Sequence, residues 1–146
     1  MDSKPVALAV YSDISDLTRL KAERDQLLEE KTRYFEWMMD EYVGNIYISD
    51  LETYELLFLN KTAAATLHTT KAEVTGKKCY EVIQGRTSPC PFCNNALLTE
   101  DDVYAWEFDN PNLKKTFMIR NRVINWQGRR SRIELSHDML SAEYKL

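Results

Sequence analysis

Glycine and histidine are scarce in this chain of 146 residues, which contains only four glycines and two histidines. No glycine-rich run is present that could cradle a phosphate group. Neither His68 nor His137 stands in the kind of Ser/His/Asp arrangement that supports nucleophilic catalysis. The sequence therefore has no enzyme signature, although a longer protein containing it could include a diguanylate cyclase or kinase output domain.

Long apolar runs are also lacking, since no segment reaches the roughly 18 residues that a membrane span needs. The chain does not open with the basic and apolar regions of a signal peptide. Its formal net charge of −4 gives no general electrostatic reason to bind nucleic acid. Three cysteines, an odd count, favour a reducing compartment over a disulfide scaffold. We therefore expect a cytoplasmic domain without membrane or nucleic-acid contacts.

Glycine and proline are absent from residues 16–41, where charged residues are frequent. Apolar side chains recur there at spacings of three and four, with Arg24 and Lys31 at the two intervening positions. This heptad pattern predicts a long linker helix that forms a homodimeric parallel coiled coil, although an amphipathic helix packed on its own domain fits the same pattern. The predicted dimer seam consists of Leu17, Leu20, Leu27, Tyr34 and Met38.

The segment before this helix predicts a strand, because residues 6–11 are apolar and are followed by Asp13. The stretch around Asp13 also matches the stretch around Asp138, at an offset of 125 residues. A lone strand has no partner within the chain. We therefore interpret residues 1–15 as the last strand of a preceding module, and Asp13 and Asp138 as the points where the signal leaves each module for the next helix.

After Gly44 the hydrophobic pattern changes from helical spacing to alternation, which is typical of strands. Short helical segments are predicted between the second and third strands, at 61–68, 70–74, 79–83 and 94–98. This order predicts an α+β fold, in which a five-stranded antiparallel sheet has short helices on one face and follows the long helix. The five strands are predicted at residues 45–49, 54–59, 104–109, 116–125 and 130–136.

Alternation along the last two strands predicts which side chains face the helices, because successive side chains point to opposite faces. The inward set is expected to be Phe117, Ile119, Asn121, Val123, Ile133 and Leu135. The outward set is then basic and can pair with acids on the neighbouring strand, and we expect this face to be solvated or to face a dimer partner rather than nucleic acid. It consists of Arg120, Arg122, Arg130 and Arg132.

Residues 42–140 resemble PAS sensor domains in the order of their motifs. The resemblance lies in the stretches Tyr54-Glu55-Leu56-Leu57-Phe58-Leu59-Asn60-Lys61, Gly76-Lys77-Lys78-Cys79-Tyr80-Glu81-Val82 and Trp126-Gln127-Gly128-Arg129. Asp138-Met139-Leu140 stands where such domains usually have Asp-Ile-Thr, and residues 141–146 then begin the following linker. Residues 79–93 are similar to a bacterial subgroup found beside diguanylate cyclase and related output domains.

The resemblance implies a sensory and dimerising module of a bacterial signalling protein, which relays an event in a pocket to a C-terminal output domain through linker helices. A ligand-free dimerisation spacer with a filled core is the alternative. The pocket would lie between the sheet and the short helices and take an unidentified small molecule. Its expected walls are Tyr47, Phe58, Trp106, Phe117, Ile119, Asn121, Val123 and Ile133.

Three cysteines suggest a further possibility, since Cys90 and Cys93 form a C-x-x-C motif and Cys79 precedes it by eleven residues. Thiolates at this spacing can bind one tetrahedral ion, so zinc or an iron–sulfur cluster is possible if a histidine or an acid supplies a fourth ligand. A C-x-x-C pair can equally form a reversible disulfide. Three buried cysteines without any cofactor also fit the sequence. A thiol or metal sensor is therefore the third reading of the function.

Flavin and haem fit the sequence poorly. The stretch from Gly76 to Cys79 keeps the spacing of the flavin motif in PAS-like blue-light receptors. The asparagine before the cysteine and the phosphate-binding arginine after it are missing, since Lys78 and Tyr80 stand there, and Gln84 comes one place late. Haem needs an axial ligand, and neither histidine falls on the predicted pocket face.

Overall fold

A computed structural model describes residues 4–140 of the chain, with side chains from residue 13 onward. The chain up to Met38 forms one compact unit, and the chain from Met39 forms a second. The expected start of a following linker, at residues 141–146, lies outside the described residues.

The described residues of the first unit all lie in a single helix, α1 (Lys4–Glu41), which is 38 residues long. The predicted strand at residues 6–11 is wrong, because these residues are helical, and Asp13 lies exposed within the helix rather than at a junction. A helix satisfies its own backbone hydrogen bonds, whereas a lone strand does not. Without that strand, the interpretation of residues 1–15 as part of a preceding module stays a prediction.

The apolar side chains of α1 are exposed within this unit. Leu17 is 67% exposed and Leu27 is 65% exposed, and the other residues of the dimer seam are exposed as well. No helix in the described part of the chain is both long and apolar enough to cross a membrane. The exposure of these side chains is compatible with a coiled coil, which stays a prediction.

The second unit contains one antiparallel sheet of five strands in the order β2-β1-β5-β4-β3. This confirms the predicted α+β fold with its preceding long helix. Each predicted strand is present, with ends that differ by no more than two residues. The strands are β1 (Asn45–Asp50), β2 (Leu56–Leu59), β3 (Tyr104–Asn110), β4 (Lys115–Trp126) and β5 (Arg129–Asp138).

Short helices connect β2 to β3 and cover one face of the sheet. They are α2 (Lys61–Thr66), α3 (Lys71–Val74) and α4 (Cys79–Gln84), followed by a 3₁₀ turn at Asn95–Leu97. The side chain of Thr70 caps α3. Gly85 ends α4 in the left-handed conformation, at φ 63°, which glycine adopts without steric penalty.

Asn60 connects three parts of the second unit through a fully buried side chain. Its Oδ1 accepts hydrogen bonds from the backbone N–H of Ala63 in α2, at 3.0 Å, and of Ile46 in β1, at 2.9 Å. Its Nδ2 donates to the carbonyl oxygens of Met39, at 2.8 Å, and Gly44, at 3.0 Å. The sequence predicted the cap of α2 but not the other three bonds.

Both faces of the sheet are buried near β1. On the face covered by helices, Leu56, Leu59, Ala63 and Val74 form an apolar core. On the opposite face Ile48 is fully buried beside its strand neighbour Phe58, whose ring centroid lies 5.9 Å from that of Trp126.

Candidate functional site

A cavity of about 90 Å³ lies between the sheet and the elements that cover it. The sheet contributes side chains from all five strands, and α2, α4 and the loop after α4 supply the opposite wall. Most of the lining is apolar or aromatic. It includes Leu59, Ala63, Ile83, Phe92, Phe108 and Leu113.

Four of the eight predicted wall residues line this cavity, namely Tyr47, Trp106, Phe117 and Ile119. Asn121 and Val123 follow on the same face of β4 and are buried, at 1% and 2% exposure, but they do not line the cavity. The predicted inward face of β4 therefore agrees with the structure.

Phe58 and Ile133 were expected in the cavity wall, and the structure contradicts both. Each is the strand neighbour of Ile48, on the face of the sheet away from the cavity. The expected register of β5 was wrong by one residue, since Arg132, Glu134 and Ser136 line the cavity. Because side chains alternate along a strand, Leu135 also lies on the other face.

Glu134 is the centre of a buried polar network at the floor of the cavity. Its Oε1 accepts hydrogen bonds from the hydroxyl of Tyr47 at 3.1 Å, from Nδ2 of Asn121 at 2.9 Å and from Nη2 of Arg132 at 2.7 Å. Burial raises the pKa of Tyr47 well above its usual range. The phenol therefore stays protonated and can donate to the carboxylate.

Arg132 links this network to the start of the 3₁₀ turn. Its Nη1 donates to Oδ1 of Asn94 at 2.6 Å and to Oδ1 of Asn95 at 2.9 Å. Burial opposes the charge, but the nearby Tyr47 and Glu134 raise the pKa of Arg132 on balance, so the guanidinium stays a cation. It is 6% exposed, which corrects the expectation of a solvated arginine on the outer face.

Asn121 has protein partners for both ends of its amide. Its Oδ1 accepts from Nε1 of Trp106 at 2.8 Å and from Nδ2 of Asn94 at 3.3 Å, while its Nδ2 donates to Glu134. The sequence indicated that this buried amide needs partners, and they are side chains of the network.

All three cysteines line the cavity as free, partly buried thiols. Burial raises the pKa of Cys79 to about 11, and it also raises the pKa of Cys90. Both groups are therefore neutral thiols near pH 7. Within residues 13–140, no group of three or more His, Cys, Asp or Glu side chains is arranged to hold a metal ion.

Neither histidine adds a ligand to the cysteines. His68 follows α2 with a positive φ of 54°, and neither it nor His137 lines the cavity. His137 lies on the opposite face of β5 and its Nε2 makes a hydrogen bond with the hydroxyl of Tyr42. Asp138, the predicted signal exit, ends β5 and forms an ion pair with Lys115 at 3.3 Å.

Arg132, Glu134 and Asn94 were missed as site residues by the sequence analysis. One signal could have found the first two. Tyr47 was placed in the pocket, so Ile46 and Ile48 had to form an apolar outer face, and this face pairs with Leu135 and Ile133 of β5. The alternating charged residues of β5 then belong on the inner face.

Comparison with family models gives no match, and comparison with curated proteins gives none. Solved structures do match. The PAS domain of an HTR-like protein from Haloarcula marismortui has a TM-score of 0.56 at 17% identity, over 80% of this chain and 98% of that one. The PAS domain of BvgS from Bordetella pertussis also has a TM-score of 0.56, at 16% identity, over 78% of this chain and 90% of that one.

The chain has a PAS fold. A third similar structure, the PAS domain of nitrogen regulation protein NR(II) from Vibrio parahaemolyticus, has a TM-score of 0.55 at 10% identity, over 70% of this chain and 95% of that one. At these identities the likeness extends to the fold alone. In this chain the quoted sequence stretches lie at β2 with the Asn60 cap, at the start of α4, and at the turn between β4 and β5.

Proposed function

We propose that this chain is a sensory PAS module of a signal-transduction protein and that its cavity binds a small molecule. The buried pair of Arg132 and Glu134 at the cavity floor is the observation that supports a ligand site. A spacer with a filled core would need neither the cavity nor the charges, because buried ion pairs add little stability over apolar packing. One structural neighbour is described as a PAS domain from a two-component sensor histidine kinase, which also supports a signalling role.

The relay is a population shift in which the ligand favours one of two arrangements of the sheet. A ligand shifts such an equilibrium only by its difference in affinity for the two states. Glu134 lies in β5, which pairs with β1 on one side and continues to Asp138. A change at the cavity floor therefore reaches both ends of the module. In this proposal the relay passes to a C-terminal output domain, and the resemblance of residues 79–93 to a bacterial subgroup found beside diguanylate cyclases points to an output of that or a related kind.

A cavity-filling variant tests the ligand site against the spacer. Ala63 lines the cavity, so Ala63→Leu should fill part of it. We expect compounds from a fragment library to shift amide resonances around the cavity of the wild type in ¹⁵N NMR spectra, and we expect the variant to lose these shifts. If no fragment perturbs the wild-type cavity and Ala63→Leu is more stable, the spacer is the correct reading.

The same proposal includes a parallel homodimer through α1. Arg24 and Lys31 would face their own copies at the dimer seam, which is unfavourable unless an acid lies nearby. Each follows a glutamate, Glu23 or Glu30, at the position that flanks the seam. In a parallel dimer the glutamate of one helix then lies beside the cation of the other and offsets the repulsion.

The dimer is tested with Leu20→Asp and Leu27→Asp together, which bury two carboxylates per helix in the dimer seam. We expect light scattering at micromolar concentration to show a dimer for the wild type and a monomer for this variant. Thr18→Asp with Gln26→Asp is the control, because it adds the same charge off the dimer seam. A monomeric wild type at high concentration contradicts the proposal.

A thiol sensor is the second candidate, because three cysteines line one cavity. The backbone N–H of Cys93 donates to the carbonyl of Cys90 at 3.0 Å, which forms a turn within the C-x-x-C motif. Diamide can oxidise this pair, taking up two electrons and two protons as the disulfide forms. Peptide mapping by mass spectrometry should then show a Cys90–Cys93 disulfide. If this disulfide is absent once the diamide has been consumed, the result contradicts this candidate.

A further inference from the structure

The carboxylate of Glu134 uses only one of its two oxygens in the network at the cavity floor. The three donors that reach it, from Tyr47, Asn121 and Arg132, all bond to Oε1. Among the described residues, no donor bonds to Oε2. Each oxygen of an ionised carboxylate has lone pairs of its own, so Oε2 keeps its full capacity to accept hydrogen bonds.

Oε2 of Glu134 is also open to the cavity. Within the described part of the chain, the fully buried side-chain atoms that lack a partner are Nε of Arg122 and Nε of Arg132. Oε2 lacks a partner but is not fully buried, so it belongs to the exposed 10% of the Glu134 side chain. Because Glu134 lines the cavity, this accessible oxygen can be reached by a molecule inside it.

A largely buried carboxylate oxygen without a donor is costly, and native structures rarely leave one in that state. The protein supplies no donor here, since the hydrogen of the Tyr47 hydroxyl and both Nη groups of Arg132 are directed elsewhere. A ligand that donates a hydrogen bond to Oε2 therefore removes a cost that the fold leaves in place.

The charges around the cavity favour an uncharged donor. Arg132 and Glu134 are the charged side chains among the described residues that line it, and they form an ion pair at 2.7 Å. A cationic ligand would add a second positive charge beside Arg132, and an anion would face the free oxygen of Glu134. Each would leave an uncompensated charge in a largely buried place, at a large desolvation cost.

The size and the remaining walls of the cavity describe the rest of the ligand. A cavity of about 90 Å³ is smaller than the ~150 Å³ that accommodates benzene in an apolar protein core. The rings of Phe92, Phe108 and Trp106 stand in series, with centroid separations of 4.6 and 5.3 Å. The body of the ligand is therefore compact and apolar.

We infer that the cavity binds a small uncharged molecule with an apolar body and an N–H or O–H group that donates a hydrogen bond to Oε2 of Glu134. This inference rests on the proposed function and names the ligand class of the same site. Glu134 is then the residue that distinguishes a neutral donor from a molecule of the same shape without one.

Three planar molecules of nearly equal shape test this inference. Propionamide is a neutral donor, butanone has a methyl group in place of the amide NH₂, and propionamidinium is a cationic donor. Each is titrated into protein that contains glutamate labelled with ¹³C at Cδ, and the Cδ resonance of Glu134 is followed by NMR. Glu134→Gln identifies this resonance by its loss.

Propionamide should shift the Glu134 resonance in a saturable way. Butanone should bind at least about tenfold more weakly, because it cannot form a hydrogen bond to the charged oxygen. Propionamidinium should also bind more weakly than propionamide, since Arg132 already neutralises the carboxylate.

Glu134→Gln adds a second measurement. Its amide oxygen can still accept from Asn121 and Arg132, while its NH₂ group replaces Oε2 and turns an acceptor into a donor. The preference for propionamide over butanone should therefore disappear in this variant. Glu107→Gln is the matched control, because Glu107 is exposed in β3 and does not line the cavity, and it should keep the wild-type preference. If Glu134→Gln does not fold, the wild-type titrations still decide the matter.

Several results would overturn the inference. These are equal affinity for butanone and propionamide, tighter binding of propionamidinium, and binding of propionamide that leaves the Glu134 resonance in place. Failure of all three molecules to bind also overturns it, because water then satisfies Oε2. If other fragments still perturb the cavity, the proposed ligand site survives and only the ligand class is wrong, whereas a cavity that no fragment perturbs removes both.

Discussion

Asn60→Ala should strongly destabilise the unit that begins at Met39, because it removes four hydrogen bonds at one buried position. Two buried N–H groups, of Ile46 and Ala63, lose their acceptor, and the carbonyls of Met39 and Gly44 lose a donor. At a net value of about 1 kcal/mol per bond, the free energy of unfolding should fall by about 3–5 kcal/mol. This is a large part of the ~5–15 kcal/mol that stabilises a typical domain.

Urea unfolding followed by tryptophan fluorescence measures this loss, since Trp106 and Trp126 both lie in strands of this unit. Thr70→Ala is the matched control. Thr70 also caps a short helix, accepting from the N–H of Glu73 at 3.3 Å, but that bond is exposed. Its loss should amount to about 0.5–1 kcal/mol.

Asn60→Asp separates the two halves of the amide. Aspartate keeps an acceptor for the two N–H groups but directs a second oxygen toward the carbonyls of Met39 and Gly44. We expect it to be at least as destabilising as Asn60→Ala. If Asn60→Ala costs no more than Thr70→Ala, or if Asn60→Asp is neutral, the buried bonds do not hold these elements together and the reasoning is refuted.

With Cys90 and Cys93 replaced by serine, alkylation of Cys79 by iodoacetamide should be half-maximal near pH 11 in mass spectra, rather than near the ordinary value of 9.0. Since the pKa of Cys79 is higher in the folded state, the stability that its neutral thiol contributes is complete below pH 9 and is lost as the pH rises through about 11. Cys79→Ala should therefore weaken the loss of stability at alkaline pH in urea titrations. Gly44→Ala should lower the free energy of unfolding by about 1–3 kcal/mol, because its Cβ would lie 2.7 Å from the carbonyl oxygen of Ser136. Gly128→Ala, with φ 83° and open space around it, should cost about 1 kcal/mol, and equal thermal melts for the two glycine variants would contradict this.

The sequence was informative where one residue type has one physical role. Asn60 before an alanine-rich segment predicted a helix cap, and alternation in β4 predicted the inward face with Phe117, Ile119 and Asn121. Turn residues such as Gly128 predicted the connection between β4 and β5.

Prediction failed where two readings of one pattern compete. In β5, isoleucine and leucine alternate with arginine, glutamate and serine, and apolar residues are usually the buried ones. The sheet buries apolar residues on its outer face near β1, so the polar series faces the cavity instead. Which series turns inward depends on Asn94, Asn95 and Asn121 as partners for the charges, and these are distant in sequence.

The pairing of β1 with β5 has a consequence for how the module can be joined to other parts of a protein. Asn45, just after α1, lies opposite Ser136, just before the end of β5, so the chain enters and leaves at neighbouring points. Tyr42 and His137 form a contact across the same place. A domain attached in this way can be inserted into a helical connection, because its two ends lie close together. A small shear between β1 and β5 then changes the distance between the chain segments that enter and leave the domain.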